Sequence, residues 1–327
     1  MTFDLGAGNI AKIQLNTIEI KKALVGSTLV YDATGGGGGP VLPQGWSQTE
    51  TGLAGISNSV PSTCGLNATS IAITSQSDET LRVYTRGTYA QRGSSISIGG
   101  TLNSDNQIAY LADNEIMASR NGTNFQKYIW NDGASTWSTD GAIINLGNDC
   151  VVVGASSTRI FAYRRSGEIG VSCYDLIAGT WTKVGSTKTY VVNLRRQGIC
   201  ILDKTADAEV LVIREYQTGT GTENKLIALS FNGSAFTEIT SIDSGVASDS
   251  TCTMAGLNTT SFAVIGNINK FIEYWTFTSN TFAFVEEEDV SSNNSPTMGL
   301  VIGDTNTVTV GVAGGAGFSL QEYVYTP

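Results

Sequence analysis

From Pro43 onward the chain alternates apolar and polar residues in short runs, as in Ser70-Ile71-Ala72-Ile73-Thr74. No 3.6-residue periodicity is sustained, and turn-forming residues interrupt the runs roughly every 8 to 12 positions. This is the pattern of many short strands. The runs also repeat: Gly65-Leu66-Asn67-Ala68-Thr69-Ser70-Ile71-Ala72 returns as Gly256-Leu257-Asn258-Thr259-Thr260-Ser261-Phe262-Ala263. The first apolar residue after this turn is Ile71, Ile116, Ile160, Val210, Phe262 and Val308 in successive repeats. Their spacing, roughly 44 to 52 residues, is that of four-stranded propeller blades. A second register runs beside it, in which an aromatic closes one strand and another opens the next. The pairs are Tyr84 and Tyr89, Trp130 and Trp137, Tyr174 and Trp181, Phe231 and Phe236, Phe277 and Phe282. The sixth repeat has Tyr325 but no partner after it, and Trp46, opening Trp46–Leu53, supplies one from the other end. The prediction is an all-β, six-bladed β-propeller over residues 44–327, its last blade closed by the N-terminal strand of the domain.

Ahead of it, Gly35 to Gly39 and the prolines at 40 and 43 form a linker, residues 35–43. A glycine run of this kind behaves as a flexible coil. Residues 1–34 form a small β segment with apolar positions at Ile10, Ile13, Ile18, Ile20, Leu24, Leu29, Val30 and Tyr31. So short a piece cannot bury a core by itself, so it must dock on something else. The run from Ile10 to Asp32, with its ending Gly26-Ser27-Thr28-Leu29-Val30-Tyr31-Asp32, resembles the short N-terminal module of tailed-bacteriophage virion proteins. The resemblance implies that these apolar residues anchor the chain to a particle through other virion proteins, with an exposed domain beyond the linker.

Composition narrows the chemistry. The chain has 327 residues, with 38 Gly, 5 Pro, 5 Cys and no His. Without imidazole, Ser-His-Asp and Cys-His catalysis and His-ligated metals are excluded. The net charge of -10 argues against nucleic acid as a partner, because phosphate neutralisation needs a basic face. The cysteines at 64, 150, 173, 200 and 252 form no C-x-x-C pair and sit in apolar runs, which suits small buried hydrophobes in a reducing compartment. Residues 1–4 carry no basic, apolar leader pattern, and no apolar run reaches membrane-spanning length. No metal or other cofactor is expected, nor membrane insertion.

Local motifs are weak. Tyr174 to Trp181 resembles a kelch hairpin, yet the double glycine of kelch inner strands is absent. Asn131-Asp132-Gly133 has a faint likeness to a sialidase Asp box with its glycine displaced, and reads as a turn. The run Glu286-Glu287-Glu288-Asp289 falls on the outer strand of the fifth repeat, where charge keeps a sheet edge soluble. No repeat converges the two carboxylates that a glycosidase requires. In a propeller, the loops between second and third strands share a face with the loops joining blades. That places Arg164 and Arg165 beside Arg195 and Arg196, with Arg120 one blade away and Arg214 near the same rim, a basic sector suited to an anionic partner. The Gly/Thr-rich stretch from Glu215 to Lys225 is expected to be a long loop on that face.

The functional expectation is a non-catalytic virion structural protein, a tail fibre or tail-tip appendage assembled in the host cytoplasm. It would present a propeller to host-surface glycan or protein, or to other virion parts, and become oligomeric through assembly on the particle. Alternatives are a glycan depolymerase built on a propeller, and a head fibre or capsid decoration protein.

Overall fold

The computed structural model describes residues 13–15, 18–20, 22–25, 28–32, 45–53, 62–75, 79–99, 108–120, 123–147, 150–164, 169–190, 198–203, 209–217, 223–244, 252–266, 271–289, 294–300, 307–314 and 317–326. All the regular structure is β. Strands β1 (Ile13–Leu15) and β2 (Ile18–Ile20) form one antiparallel hairpin, and β3 (Lys22–Val25) and β4 (Thr28–Asp32) another. Strand β5 (Gly45–Leu53) follows. The chain divides into two compact units, Met1–Ser47 with Val324–Pro327, and Gln48–Tyr323.

Five blades then follow, each an antiparallel sheet of four consecutive strands. Blade 1 is β6 (Ser62–Asn67), β7 (Ser70–Ser75), β8 (Thr80–Thr85) and β9 (Gln91–Ser97). Blade 2 is β10 (Ile108–Ala112), β11 (Glu115–Arg120), β12 (Asn124–Asn131) and β13 (Thr136–Asn145). Blade 3 is β14 (Cys150–Ser156), β15 (Arg159–Arg164), β16 (Gly170–Ile177) and β17 (Thr180–Thr189). Blade 4 is β18 (Ile199–Asp203), β19 (Glu209–Gln217), β20 (Glu223–Phe231) and β21 (Phe236–Asp243). Blade 5 is β22 (Cys252–Asn258), β23 (Ser261–Gly266), β24 (Phe271–Thr278) and β25 (Thr281–Asp289). A further sheet has the order β26 (Asn294–Leu300), β27 (Thr307–Gly314), β28 (Gly317–Thr326), β5. The fold is a β-propeller of four-stranded antiparallel blades. Where the repeat spacing predicts six blades, the structure shows five; β26, β27 and β28 pair instead with β5, from the other end of the domain, in a composite sheet. Of the stretch expected to be a loop, Glu215 to Lys225, residues 215–217 and 223–225 are strand, β19 and β20 pairing out to Gln217 and Glu223, and residues 218–222 lie outside the described residues.

The core lies between blades. Leu66, Leu81 and Val83 of blade 1 pack on Ile116, Tyr128 and Trp130 of blade 2. Phe125 and Ile144 pack on Val152, Ile160 and Trp181. Phe161, Tyr163 and Val171 pack on Ile199, Leu211 and Phe231. Cys200, Val212 and Leu226 pack on Phe262, Trp275 and Phe277. Leu320 of the composite sheet joins Ile71, Tyr84 and Tyr89 of blade 1. All five cysteines are buried thiols outside any disulfide. Burial pushes the Cys173 thiol up to about 12, which keeps it unreactive.

The repeated Gly-Leu-Asn-x-Thr-Ser run has a physical origin at each position. Each inner strand of blades 1 to 5 shifts register just before its turn, leaving one extra residue: Leu66, Leu111, Ala155, Leu202 or Leu257. All five are buried. The asparagine then makes an Asx turn, Asn67 Oδ1 accepting from the Thr69 N–H at 2.9 Å, with the same contact from Thr260 to Asn258. The glycine ahead of the leucine is set by crowding near the axis. A Cβ at Gly256 would overlap the Ile201 carbonyl oxygen of the preceding inner strand, and one at Gly154 the Tyr110 carbonyl oxygen.

Candidate functional site

Basic side chains cross each of the five blade junctions described. At the composite sheet, Glu322 of β28 receives Arg86 Nε at 3.0 Å and the Tyr89 hydroxyl at 2.8 Å. Between blades 1 and 2, Arg92 donates to Ser70 Oγ at 2.8 Å and to Asp132 Oδ1 at 2.7 Å, with Trp130 Nε1 donating to the same Oδ1 at 3.1 Å. The Arg92 hydrogen bond holds the Asp132 carboxyl below its ordinary value. Between blades 2 and 3, buried Lys127 donates to the Ser157 carbonyl at 3.0 Å and pairs with Glu115 at 3.1 Å and Asp140 at 3.0 Å.

The next junction is that of blades 3 and 4. Arg159 forks onto Asp175, Nε to Oδ1 at 2.7 Å and Nη2 to Oδ2 at 2.8 Å, while Nη1 donates to Glu209 Oε2 at 3.0 Å. The bidentate fork fixes the guanidinium plane, and Phe231 lies under it at 5.9 Å. Burial raises the Glu209 carboxyl above its ordinary value, Arg159 opposing that shift. Between blades 4 and 5, buried Arg214 stands 3.7 Å from Glu273, whose other oxygen accepts from Trp275 Nε1 at 2.8 Å.

Two pairs of carboxylates are thus brought together, Asp175 with Glu209 and Glu115 with Asp140, and each pair shares a cation. The first pair spans blades 3 and 4 through Arg159, and the second lies within blade 2 around Lys127, which itself reaches blade 3 at the Ser157 carbonyl. Among the described residues, no group of three Cys, Asp or Glu could hold a metal ion.

The predicted arginine rim fares unevenly. Arg120 is exposed at the end of β11 opposite Asn124, and Arg164 is half-buried at the end of β15 opposite Gly170. Arg165, Arg195 and Arg196 lie outside the described residues. Arg214, expected near the same rim, is instead 3% exposed and faces Glu273 of blade 5. Of the residues expected to anchor, Ile10 lies outside the described residues. Ile13, Ile18, Ile20, Leu24, Leu29, Val30 and Tyr31 stand in β1 to β4, and their side chains are outside what is described. The Asp132 turn is a turn, Asn131 Oδ1 accepting from the Ala134 N–H at 3.0 Å, yet Asp132 also clamps blade 1. Sequence reasoning missed the clamps. A signal existed in the aromatic register, for Arg92 stands three residues after Tyr89 and Asp132 two after Trp130.

No protein-family model matches the chain, and no curated protein matches it. Solved structures do. It is similar to a triple arginine-to-alanine mutant of AofleA from Arthrobotrys oligospora, at 12% identity and TM-score 0.57, covering 86% of this chain and 88% of that one. It is also similar to a luciferin-regenerating enzyme (8%, TM-score 0.52, covering 85% and 95%). A third likeness is to the WD40 repeats of RRP9 (8%, TM-score 0.50, covering 86% and 98%). Proteins so differently named share the propeller alone, and fold does not fix function.

Proposed function

We propose that this chain is a non-catalytic structural protein of a tailed-bacteriophage virion, an appendage that presents a propeller to the host surface or to other virion parts. In this reading the composite sheet β26-β27-β28-β5 is the sixth blade and closes the ring. The observation that carries the proposal is the order of the parts: the segment Ile10–Asp32, which contains β1 to β4 and resembles a virion anchor, then five glycines, then a propeller. The clamps support it, because they commit buried charge to holding blades together, as a display scaffold requires. Arg120, Arg164, Arg165, Arg195 and Arg196 would form the basic contact sector.

Deleting residues 1–34 tests this. The truncated chain should stay soluble and folded by circular dichroism, and particles assembled with it should lack the protein. Truncated protein found in purified particles at the full-length level would refute the anchor.

A further inference from the structure

Asparagine side chains hold several of the tight turns. Asn67, Asn131, Asn145, Asn232 and Asn258 each accept, at Oδ1, a backbone N–H from two or three residues further on. Such a turn brings the side-chain amide alongside the backbone of the residue that follows. That residue decides the chemistry. It is Ala68 after Asn67, Asp132 after Asn131, Leu146 after Asn145 and Thr259 after Asn258. After Asn232 it is Gly233, whose backbone nitrogen has no side chain beside it to screen it.

Asn232 also differs in its donors. Its Oδ1 receives the Ser234 N–H at 3.1 Å, the Ser234 hydroxyl at 3.0 Å and the Ala235 N–H at 2.9 Å. Asn67 and Asn258 receive two each, both from one threonine. Three donors on one amide oxygen draw electrons from its carbon and stabilise the negative charge that an attacking nitrogen would place there. The amide nitrogen of Asn67 is tied down, donating to Asn114 Oδ1 at 2.6 Å. Asn232, Gly233 and Ser234 are all exposed, so water reaches the turn.

We infer that Asn232–Gly233 is a self-modifying site, where the asparagine converts to aspartate and isoaspartate with loss of ammonia. The Gly233 amide gives its proton to solvent base, and its nitrogen bonds to Asn232 Cγ. The Cγ–Nδ2 bond breaks, and Nδ2 takes up a proton and leaves as ammonia. Water then opens the resulting succinimide ring. Attack at Cγ restores the backbone and leaves aspartate. Attack at the backbone carbonyl carbon leaves isoaspartate, whose chain runs through the former side chain and is one CH₂ longer. The position gives this a consequence. The Ser234 carbonyl of the same turn accepts from Ser186 N–H of blade 3 at 3.0 Å, and a Cβ at Gly185 would overlap that oxygen. Aspartate can keep all three donors, whereas the longer backbone of isoaspartate displaces Ser234 from a seat with no spare room. Conversion thus loosens the outer edge of the junction between blades 3 and 4. This chemistry is independent of the proposed virion role.

The test incubates the full chain in mildly alkaline buffer and maps peptides by a method that separates asparagine, aspartate and isoaspartate. Asn232 should convert at least about tenfold faster than Asn67 or Asn258, its internal controls. In G233A the added Cβ meets no atom within 4 Å, so the turn has room for it. That variant should convert about tenfold more slowly, because the methyl group screens the nitrogen. S234A, which removes only the hydroxyl donor, should slow conversion by about threefold. Hydrogen exchange at the Ser186 amide should quicken as isoaspartate accumulates. It should keep the parent's rate in N232D, which carries the charge without the longer backbone. An Asn232 no faster than its controls, a rate indifferent to G233A or to S234A, or Ser186 exchange unmoved by isoaspartate overturns the inference.

Discussion

Arg159 and Glu209, fifty positions apart in the chain, meet at 3.0 Å across the junction of the third and fourth blades, and Arg159 holds Asp175 of its own blade at the same time. One guanidinium thus ties three strands in two sheets.

Because Glu209 is buried, removing Arg159 strands a carboxylate in a poorly solvated site. Arg159→Met should cost about 3 kcal/mol in urea unfolding at pH 7. The pH dependence has a definite sign. Burial holds Glu209 above 4.5 in the folded state, so the folded chain binds more protons in the interval above 4.5. Without Arg159 to oppose burial, the carboxyl rises further, and acidification relieves the cost. The deficit of Arg159→Met should shrink between pH 7 and pH 5; a constant deficit would contradict a buried ionised Glu209.

Arg92 and Asp132 make a weaker clamp of opposite sign. Asp132 is 48% exposed, so solvent screens the pair, and Arg92→Ala should cost below about 1 kcal/mol and less in high salt. The carboxyl is held below 3.8, so the contribution is complete above that value and disappears as pH falls through the folded value. Melting curves of Arg92→Ala and parent should converge at low pH.

The inner strands make a steric prediction. Gly154→Ala sets a methyl group on the Tyr110 carbonyl and should destabilise by about 3 kcal/mol, from forced backbone movement. Gly147→Ala, with φ of 80° but open space around it, should cost about 1 kcal/mol from conformation alone. Equal losses in thermal melts would show that the inner strands are not crowded.

At the composite sheet, Tyr89→Phe removes one of the donors to buried Glu322 and should cost about 1 to 2 kcal/mol. Amide exchange measures this locally: protection in Gly317–Thr326 should fall ahead of that in blades 2 and 3.

The proposed arginine sector carries a functional prediction. Reversing Arg165 and Arg196 to Glu should weaken host adsorption or particle assembly, measured on purified particles. Wild-type behaviour in both would exclude that sector as a contact surface.

Much of the architecture was legible because blades repeat. Ile71, Ile116 and Phe262 are all wholly buried second-strand residues, so burial imposed a period that the sequence displays. The aromatic pairs were legible for the same reason, with Trp130 opposite Trp137 and Phe277 opposite Phe282 in register. Arg214 was misplaced because spacing gives a residue's height along a strand, while alternation decides which side of the sheet it faces. Cross-blade partners such as Arg86 and Glu322, at opposite ends of the domain, leave no local pattern. The two ends of the stretch from Glu215 to Lys225 looked like loop by composition, but cross-strand pairing such as Glu215 with Lys225 overrode propensity there.

The composite sheet also sets an order of events. Each of blades 1 to 5 is a run of neighbouring strands, so it can form as soon as its own segment leaves the ribosome. Strand β5 is made before all of them, yet its partner β28 is made after all of them. Its pairing therefore waits for the whole domain and bears the largest loop-closure entropy in the fold. Until then β5 is an unpaired edge, and a nascent chain released early has nothing to cover it.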